Sequence, residues 1–254
     1  MFEGQSVSVI IPAFNEADHI GRVVRNIPSW VDHIVVVDDG SRDLTVARAE
    51  ETGRAFELIR HDANRGVGAA IISGYEAAVA RGVDIAAIMA GDDQMCPDEL
   101  VDLVSAVFTG EADYAKGTRM GHPGVRGSMP RWRRLGNAGL TWWTRRLTGL
   151  QELSDAQCGF TAIRVEVLAQ LKLTELPQGY GYPNRLLMML SEVGARVVDV
   201  PVTPIYANEL SGLTPLKALR THGAIMARAT LRMLQRRVLY RRTATRVRRR
   251  RLRG

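Results

Sequence analysis

The stretch Ile85–Leu100, IAAIMAGDDQMCPDEL, decides the fold that the sequence predicts. An apolar run of strand length ends at Gly91, two carboxylates and an amide follow, and a proline then opens a helical pattern. In an open α/β sheet, ligands bind in the crevice outside the carboxyl ends of the strands. Asp92, Asp93 and Gln94 are therefore candidates for holding a metal-bound phosphate, and an ordinary solvated turn is the alternative for these residues taken alone.

Upstream of this stretch, the same alternation of strand and helix recurs. Two buried strands are predicted at Val7–Ile11 and His33–Asp38, and a third strand is predicted at Ala55–Arg60. Pro12 closes the first strand in this interpretation, and Asn15 or Asp18 caps the helix that follows. Four strands alternating with helices in about 90 residues predict a parallel, doubly wound sheet.

The loops after the strands exclude two common nucleotide folds. PAFNE, residues 12–16, stands where a Rossmann enzyme has G-x-G-x-x-G, and a Walker phosphate loop is absent. The second strand ends in DDGS, residues 38–41, so two acidic strand ends fall on one sheet. The glycine-rich segment 64–78 predicts a helix whose N-terminus faces an anion. A nucleotide site built from carboxylates remains, with a divalent ion held against a diphosphate.

Composition describes an ordinary globular α/β protein of 254 residues, 46% hydrophobic and 24% charged. Cys96 and Cys158 match no metal-ligand spacing, and the N-terminus lacks the pattern of a signal peptide, so a reducing cytoplasm is expected. No apolar run reaches the roughly 18 to 20 residues of a membrane-spanning helix, and the chain is not expected to cross a bilayer by itself.

Charge divides the chain at about residue 210. Residues 211–254 contain 13 Arg and one Lys without Asp or Glu, and the overall charge of +7 therefore leaves −7 for residues 1–210. We expect a catalytic domain over 1–210, and a basic amphipathic helix with a disordered Arg-rich tail over 211–254. Leucine and methionine at helical spacing among the arginines favour an anionic membrane surface, whereas a helix packed on its own domain is the alternative.

Six motifs occur in the order and spacing of family 2 glycosyltransferases of the GT-A fold: VSVIIPAFNEADHI, VVVDDGSRDLT, NRGVGAAIISGYEAA, GDDQMCPDEL, KGTRM and SDAQCGFTAIR. The chain resembles that family over roughly residues 6–210, and more narrowly it resembles the polyprenyl-phosphate (dolichyl-phosphate) sugar synthases. As a set in register, the motifs are more specific than any one of them. The resemblance implies a GT-A fold with a mostly parallel central sheet flanked by helices.

The resemblance also implies a set of donor-site residues. The positions matching nucleotide-sugar contacts are Pro12, Phe14, Glu16, Asp39, Gly91, Asp92, Gln94 and Arg119. Asp92 and Gln94 match the ligands of Mg²⁺ or Mn²⁺, although Ala90 stands where the family has its first Asp and Asp93 is an added carboxylate. Arg119 matches a diphosphate contact, which suits arginine because its planar fork binds phosphate bidentately.

Two later segments of the sequence are the candidates for binding the acceptor. Residues 128–149 combine tryptophans and leucines with five arginines, which predicts an amphipathic helix at a membrane interface, and a core helix with a solvated Arg face is the alternative. By the resemblance, this region meets a lipid phosphate, with Arg131 and Arg133 as candidates. The resemblance also implies that Asp155, expected on a strand, lies near the reacting centre and completes a catalytic set with Asp92 and Arg119. An acceptor phosphate is already anionic near neutral pH, which favours an orienting Asp155 over a general base.

The resemblance implies transfer of a hexose from a GDP-mannose or UDP-glucose type of donor to a polyprenyl phosphate, with inversion at the anomeric carbon. It would take place at the inner face of the membrane, on a peripherally associated cytoplasmic protein, with a membrane-embedded protein as a further partner and nucleic acid not expected. One alternative is the same donor chemistry on a saccharide or a small phosphorylated acceptor. The other is a non-catalytic protein that binds nucleotide sugar or nucleic acid through its basic tail.

Overall fold

The computed structural model describes residues 1–120, 122, 124, 129 and 131–205, and it leaves out the side chains of residues 132 and 133. Within these residues the core is a seven-stranded sheet of order β3-β2-β1-β4-β6-β5-β7. The strands are β1 Val7–Ala13, β2 His33–Asp38, β3 Glu57–Arg60, β4 Ile85–Ile88, β5 Tyr114–Thr118, β6 Thr161–Arg164 and β7 Val197–Pro201. Strand β6 runs antiparallel to both of its neighbours, and the other pairs are parallel. The predicted mostly parallel sheet is confirmed.

Helices cover both faces of the sheet. They are α1 Ile20–Asn26, α2 Thr45–Glu50, α3 Val67–Arg81, α4 Leu100–Phe108, α5 Arg131–Thr148, α6 Val165–Leu168 and α7 Tyr182–Glu192, with short 3₁₀ turns at Pro97–Glu99 and Leu173–Glu175. Helices α1, α2 and α4 contribute to one hydrophobic core, and α3, α6 and α7 contribute to the other. Strand β1 is buried at every residue because successive side chains enter the two cores alternately.

Two local predictions around the first strand are wrong. Strand β1 continues through Pro12 to Ala13, and the Pro12 carbonyl accepts a hydrogen bond from the Gly91 N–H at 3.1 Å. Helix α1 begins after His19, without a side-chain cap from Asn15 or Asp18. The Asn15 side chain instead accepts a hydrogen bond from the Arg42 N–H at 3.0 Å, so it holds two loops together.

The start of the glycine-rich helix faces a carboxylate of the protein itself, because the N–H of Gly66, which precedes α3, donates to Asp39 at 2.7 Å. That this helix start faces a ligand anion stays a prediction. The N-terminus of α3 is covered by another loop, whose Gln178 carbonyl accepts the Ala69 N–H at 3.0 Å. A Cβ atom at Gly68 would lie 2.1 Å from the carbonyl oxygen of Pro177. The glycines at this helix start therefore serve close backbone packing.

The topology gathers the sequence motifs at one edge of the sheet. Strands β1 to β5 all run in the same direction, so their carboxyl ends lie together, and the antiparallel β6 has its amino end at the same edge. The loops that leave or enter these strand ends carry the motifs singled out above. The predicted division at residue 210 stays a prediction, because the helix and tail of 211–254 lie outside the described residues.

Candidate functional site

A cavity of about 600 Å³ opens where β1, β2 and β3 end. It is lined by residues of the three loops that follow these strands: Phe14, Asn15, Gly40, Ser41, Arg42, Arg60, His61, Asp62, Ala63 and Asn64. The Phe14 ring is 40% exposed, as a wall for a ligand requires. This is the size and mixture of aromatic and polar groups that suits a nucleoside.

Hydrogen bonds between the first two loops hold the cavity in shape. The Asn15 N–H donates to Ser41 Oγ at 2.9 Å, and the Asn15 backbone has a φ of +56°, a conformation that asparagine tolerates better than most residues. The Glu16 N–H donates to Thr45 Oγ1 at 2.8 Å. The backbone N–H of the residue after Glu16 donates to the carboxylate of Asp43. The positions of Phe14 and Glu16 are thus set by the second loop.

Asp39 lies behind the cavity wall and is only 2% exposed. Its carboxylate accepts hydrogen bonds from the N–H groups of Arg65 and Gly66 at 3.0 and 2.7 Å, and it contacts His61 Nδ1 at 2.6 Å. The other ring nitrogen of His61 lies 2.9 Å from Ser73 Oγ. Asp39 therefore organises the loop that lines the cavity, a role that sequence reasoning did not assign to it.

The loop after β4 presents the predicted metal ligands, Asp92 and Gln94, both partly exposed. Asp92 Oδ1 accepts a hydrogen bond from the Gln94 N–H at 3.2 Å. Asp93, which separates them, has a φ of +59°, and its carboxylate accepts from Arg22 Nε on α1 at 2.8 Å. Gly91 is packed so tightly that an added Cβ would lie 3.2 Å from the side chains of Ala13 and Ile20.

These donors fit a magnesium or manganese ion that takes its other ligands from a substrate. In the described part of the chain, no group of three or more carboxylate, histidine or cysteine side chains could hold a metal alone. The loop after β4 offers the Asp92 carboxylate and the Gln94 amide oxygen, and Mg²⁺ is commonly held by one or two carboxylates together with water and phosphate oxygens. The donor set therefore suits an ion that arrives with a diphosphate.

Arg119 and Asp155 meet beside the end of β5. Arg119 Nε and Nη2 donate to Asp155 at 2.8 and 3.1 Å, and the Asp155 side chain is fully buried. Burial alone would raise the pKa of Asp155, but the charge and hydrogen bonds of Arg119, with help from Lys116 and Asn137, hold that pKa well below its usual range. Asp155 lies in the loop before β6 rather than on the strand that was expected. It is an ionised anchor for Arg119.

Two polar residues near this pair were missed by sequence reasoning. Asn137 Nδ2 donates to Asp155 at 2.7 Å from helix α5, and Lys116 Nζ, fully buried, donates to the carbonyl of Cys158 at 2.7 Å. Burial disfavours the charged form of both side chains, so it lowers the pKa of Lys116 and raises the pKa of the Cys158 thiol. The lysine in the strand-like segment 113–116 was the available signal, since a charged residue in a buried strand needs partners.

Helix α5 turns apolar side chains outward. Leu135 and Trp142 are 73% and 66% exposed, and Arg131 is exposed at the start of the helix. The side chain of Arg133, the second acceptor candidate, lies outside the described residues. Leu140, Trp143 and Leu147 of the same helix are half-buried, and a membrane-interface role for this helix stays a prediction. Every helix in the described residues is too short or too polar to pass through a bilayer.

Comparison with known proteins places this arrangement among sugar-transferring enzymes. The chain is 29% identical over 216 residues to the UDP-N-acetylglucosamine–dolichyl-phosphate N-acetylglucosaminyltransferase of Methanococcus voltae, which covers 79% of this chain and 86% of the relative. It is 34% identical over 209 residues to the polyprenol monophosphomannose synthase of Mycolicibacterium smegmatis, covering 78% of this chain and 77% of the relative.

A solved structure shares the fold. Glucosyl-3-phosphoglycerate synthase of Mycobacterium tuberculosis, in complex with phosphoglyceric acid, superimposes with a TM-score of 0.69 at 22% identity, covering 89% of this chain and 80% of the other. This likeness confirms the GT-A fold. The family model described as glycosyl transferase family 2 matches residues 8–172. The chain belongs to glycosyl transferase family 2.

Proposed function

We propose that the protein transfers a hexose from a nucleoside diphosphate sugar, of the GDP-mannose or UDP-glucose type, to a polyprenyl phosphate. The observation that carries this proposal is the meeting of three features at one sheet edge. They are a nucleoside-sized cavity, the Asp92 and Gln94 oxygens, and the Arg119–Asp155 pair, which is joined to the outward-facing helix α5. The names of the two relatives, each a transferase or synthase of a polyprenyl-type phosphate, support the acceptor class.

The donor nucleoside would occupy the cavity against Phe14, with Glu16 at its rim. Asp39 would act through the loop that it organises, and Pro12 and Gly91 would act by bringing the ends of β1 and β4 together. Asp92 and Gln94 would hold a Mg²⁺ or Mn²⁺ ion, which supplies positive charge to the departing diphosphate. Structures of the M. tuberculosis synthase with Mn²⁺ and UDP, or with Mg²⁺ and UDP, support this use of the fold.

The proposed reaction needs no general base from the protein. An oxygen of the acceptor phosphate attacks the anomeric carbon, the new C–O bond forms as the bond to the diphosphate breaks, and the configuration inverts. Arg119 neutralises charge on the leaving nucleoside diphosphate. The acceptor phosphate is already ionised near neutral pH, and Asp155, held ionised by Arg119, orients that arginine and removes no proton.

The acceptor lipid would reach the site from a membrane surface on which helix α5 lies. Leu135 and Trp142 would enter the interface, and Arg131, with Arg133, would meet the anionic phosphate. We further propose a peripheral position at the inner face of the membrane, where a nucleotide-sugar donor and a lipid acceptor would meet. A saccharide or small phosphorylated acceptor would leave the exposure of Leu135 and Trp142 unexplained.

Radiolabelled sugar transfer tests the proposal. Native protein is incubated with polyprenyl phosphate and UDP-glucose, GDP-mannose or UDP-N-acetylglucosamine, with Mg²⁺ or Mn²⁺ or with chelator. We expect label in the lipid phase with one donor, lost with chelator and in Asp92→Ala, and retained in Asp98→Ala, which removes an exposed carboxylate of the same loop. Donor hydrolysis without lipid product would replace the acceptor class, and absence of turnover with every donor would favour a binding protein.

A further inference from the structure

Helix α5 buries a polar stripe on the side opposite its exposed apolar residues. Asn137, Thr141 and Thr144 are 6%, 4% and 0% exposed. Buried polar groups are costly unless they are hydrogen-bonded, so a polar stripe inside an amphipathic helix calls for partners. The partners are residues of the Asp155 loop and of α7.

Asn137 has the most direct of these contacts with the donor site. Its Nδ2 donates to Asp155 Oδ1 at 2.7 Å, and its Oδ1 accepts from Thr141 Oγ1 at 3.3 Å. An ionised carboxylate can only accept hydrogen bonds, so the amide nitrogen must face Asp155. Thr141 Oγ1 in turn accepts from the Ala156 N–H at 3.0 Å, which holds the same loop to the helix.

Asp155, whose position is fixed by Asn137, in turn fixes the position of Arg119. Both carboxylate oxygens of Asp155 accept from the guanidinium of Arg119, which fixes its plane as well as its position. Without Asn137, the contacts of Asp155 Oδ1 within the described part of the chain would be the longer ones with Arg119 Nη2 and the Gln157 N–H, at 3.1 and 3.2 Å. The carboxylate could then rotate, and the guanidinium plane would rotate with it.

We infer that Asn137 is a positioning residue for Arg119. Through Asp155 it sets the guanidinium that faces the donor diphosphate, so one short chain of hydrogen bonds joins the helix on the acceptor side to the leaving group on the donor side. This inference rests on the proposed function, because it assigns Arg119 to the diphosphate. It adds a residue for which neither the motifs nor the comparisons give a role.

The test compares ligands that do and do not carry a diphosphate. Binding of UDP and GDP to native protein and Asn137→Ala is measured by calorimetry with Mn²⁺, and binding of uridine and guanosine by ligand-observed NMR. We expect about tenfold weaker binding of the nucleoside diphosphate, the size of one hydrogen bond to a charged group. Binding of the matching nucleoside should change less than twofold, because its cavity is built from other loops.

Two further variants separate positioning from a general loss of structure. Ser191→Ala is the matched control, since Ser191 Oγ donates to the Thr148 carbonyl at 2.8 Å and anchors the far end of the same helix without contacting Asp155. It should leave diphosphate binding unchanged. In an Arg119→Ala background, Asn137→Ala should add less than a twofold loss, because the group that it positions is already gone. Asn137→Asp has the same size but cannot donate, and should lose at least as much as Asn137→Ala.

The outcomes are distinct. Equal loss of nucleoside and nucleoside diphosphate binding in both Asn137 variants would overturn the inference, as would a full tenfold loss that persists without Arg119. Native protein that binds neither UDP nor GDP would overturn the proposed function and this inference together. Selective loss of the diphosphate, absent in Ser191→Ala and in the Arg119→Ala background, would establish it.

Discussion

Arg119 and Asp155 form a two-point ion pair, with Nε to Oδ2 at 2.8 Å and Nη2 to Oδ1 at 3.1 Å. The arginine follows β5 and the aspartate lies in the loop before β6, and these two strands are neighbours in the sheet. The two residues are 36 positions apart in the chain. The Asp155 side chain is fully buried and that of Arg119 is 19% exposed. The pair thus fixes the cation that we assign to the donor diphosphate.

Asp155→Asn should lower sugar transfer by about a hundredfold and destabilise the fold by about 3 kcal/mol, because a buried cation would lose its partner. Transfer assays and urea denaturation at pH 7 measure the two effects. Arg119→Lys should also lower transfer, since a lysine cannot bind both carboxylate oxygens with a planar fork. Unchanged transfer in both variants would contradict the assigned role of the pair.

The pH dependence of stability should follow from the depressed pKa of Asp155. A carboxylate whose folded-state pKa lies below its unfolded value stabilises the fold above the unfolded pKa, and loses that contribution as the pH falls through the folded pKa. The difference in free energy of unfolding between native protein and Asp155→Asn should therefore stay constant from pH 8 to 5. It should shrink only below about pH 4. A difference that changes between pH 8 and 6 would argue against an ionised anchor.

Asp93→Gly should leave metal binding intact. The φ of +59° at Asp93 suits glycine, and the ion pair with Arg22, whose side chain is 53% exposed, contributes little. We expect Asp93→Gly to lie within about 1 kcal/mol of the native stability, and Asp93→Ala to be less stable than Asp93→Gly. Mn²⁺ binding in the presence of nucleotide, followed by electron paramagnetic resonance, should persist in Asp93→Gly and fail in Asp92→Asn. Equal loss in both would make Asp93 a metal ligand.

Trp142→Glu should weaken binding to vesicles that contain anionic lipid, because Trp142 is 66% exposed on α5. About a tenfold loss in a co-sedimentation assay is expected, with nucleotide binding unchanged. Leu44→Glu is a matched control, since Leu44 is 59% exposed at the start of α2. Equal effects of the two substitutions would remove helix α5 from the membrane contact.

Lys116→Met should destabilise the fold by about 3 kcal/mol, because Asp155 and Asp199 would lose a nearby cation and the Cys158 carbonyl would lose its donor. Burial lowers the pKa of Lys116 below its ordinary value of 10.5, so the unfolded chain binds more protons than the fold between those two pKa values. Native stability should therefore rise relative to Lys116→Met as the pH increases within that window. Urea denaturation of both proteins at pH 7 and 9.5 measures the change, and a difference that narrows at the higher pH would contradict it.

The sequence by itself determined the alternation of strands and helices and the loops that carry the chemistry. Strand β2 was predicted with its observed bounds, because a continuous apolar run between polar residues can be satisfied only by burial on both faces. Asp92 and Gln94 could be picked out because parallel strands bring their carboxyl ends to one edge, a rule that needs no knowledge of side-chain contacts. Arg119 was picked out by the resemblance to a known family.

Only the tertiary structure decided how these side chains are used. Asp39 proved to be surrounded by donors from a loop more than 20 residues away, and Asn137 to bind Asp155 through the polar side of α5. Hydrogen-bond partners distant in the chain leave no periodic trace in the sequence, because periodicity reports only which face of an element is buried. Gly68, which packs against Pro177, is a second example. In the sequence, a glycine required for close backbone packing cannot be distinguished from a glycine required for anion binding.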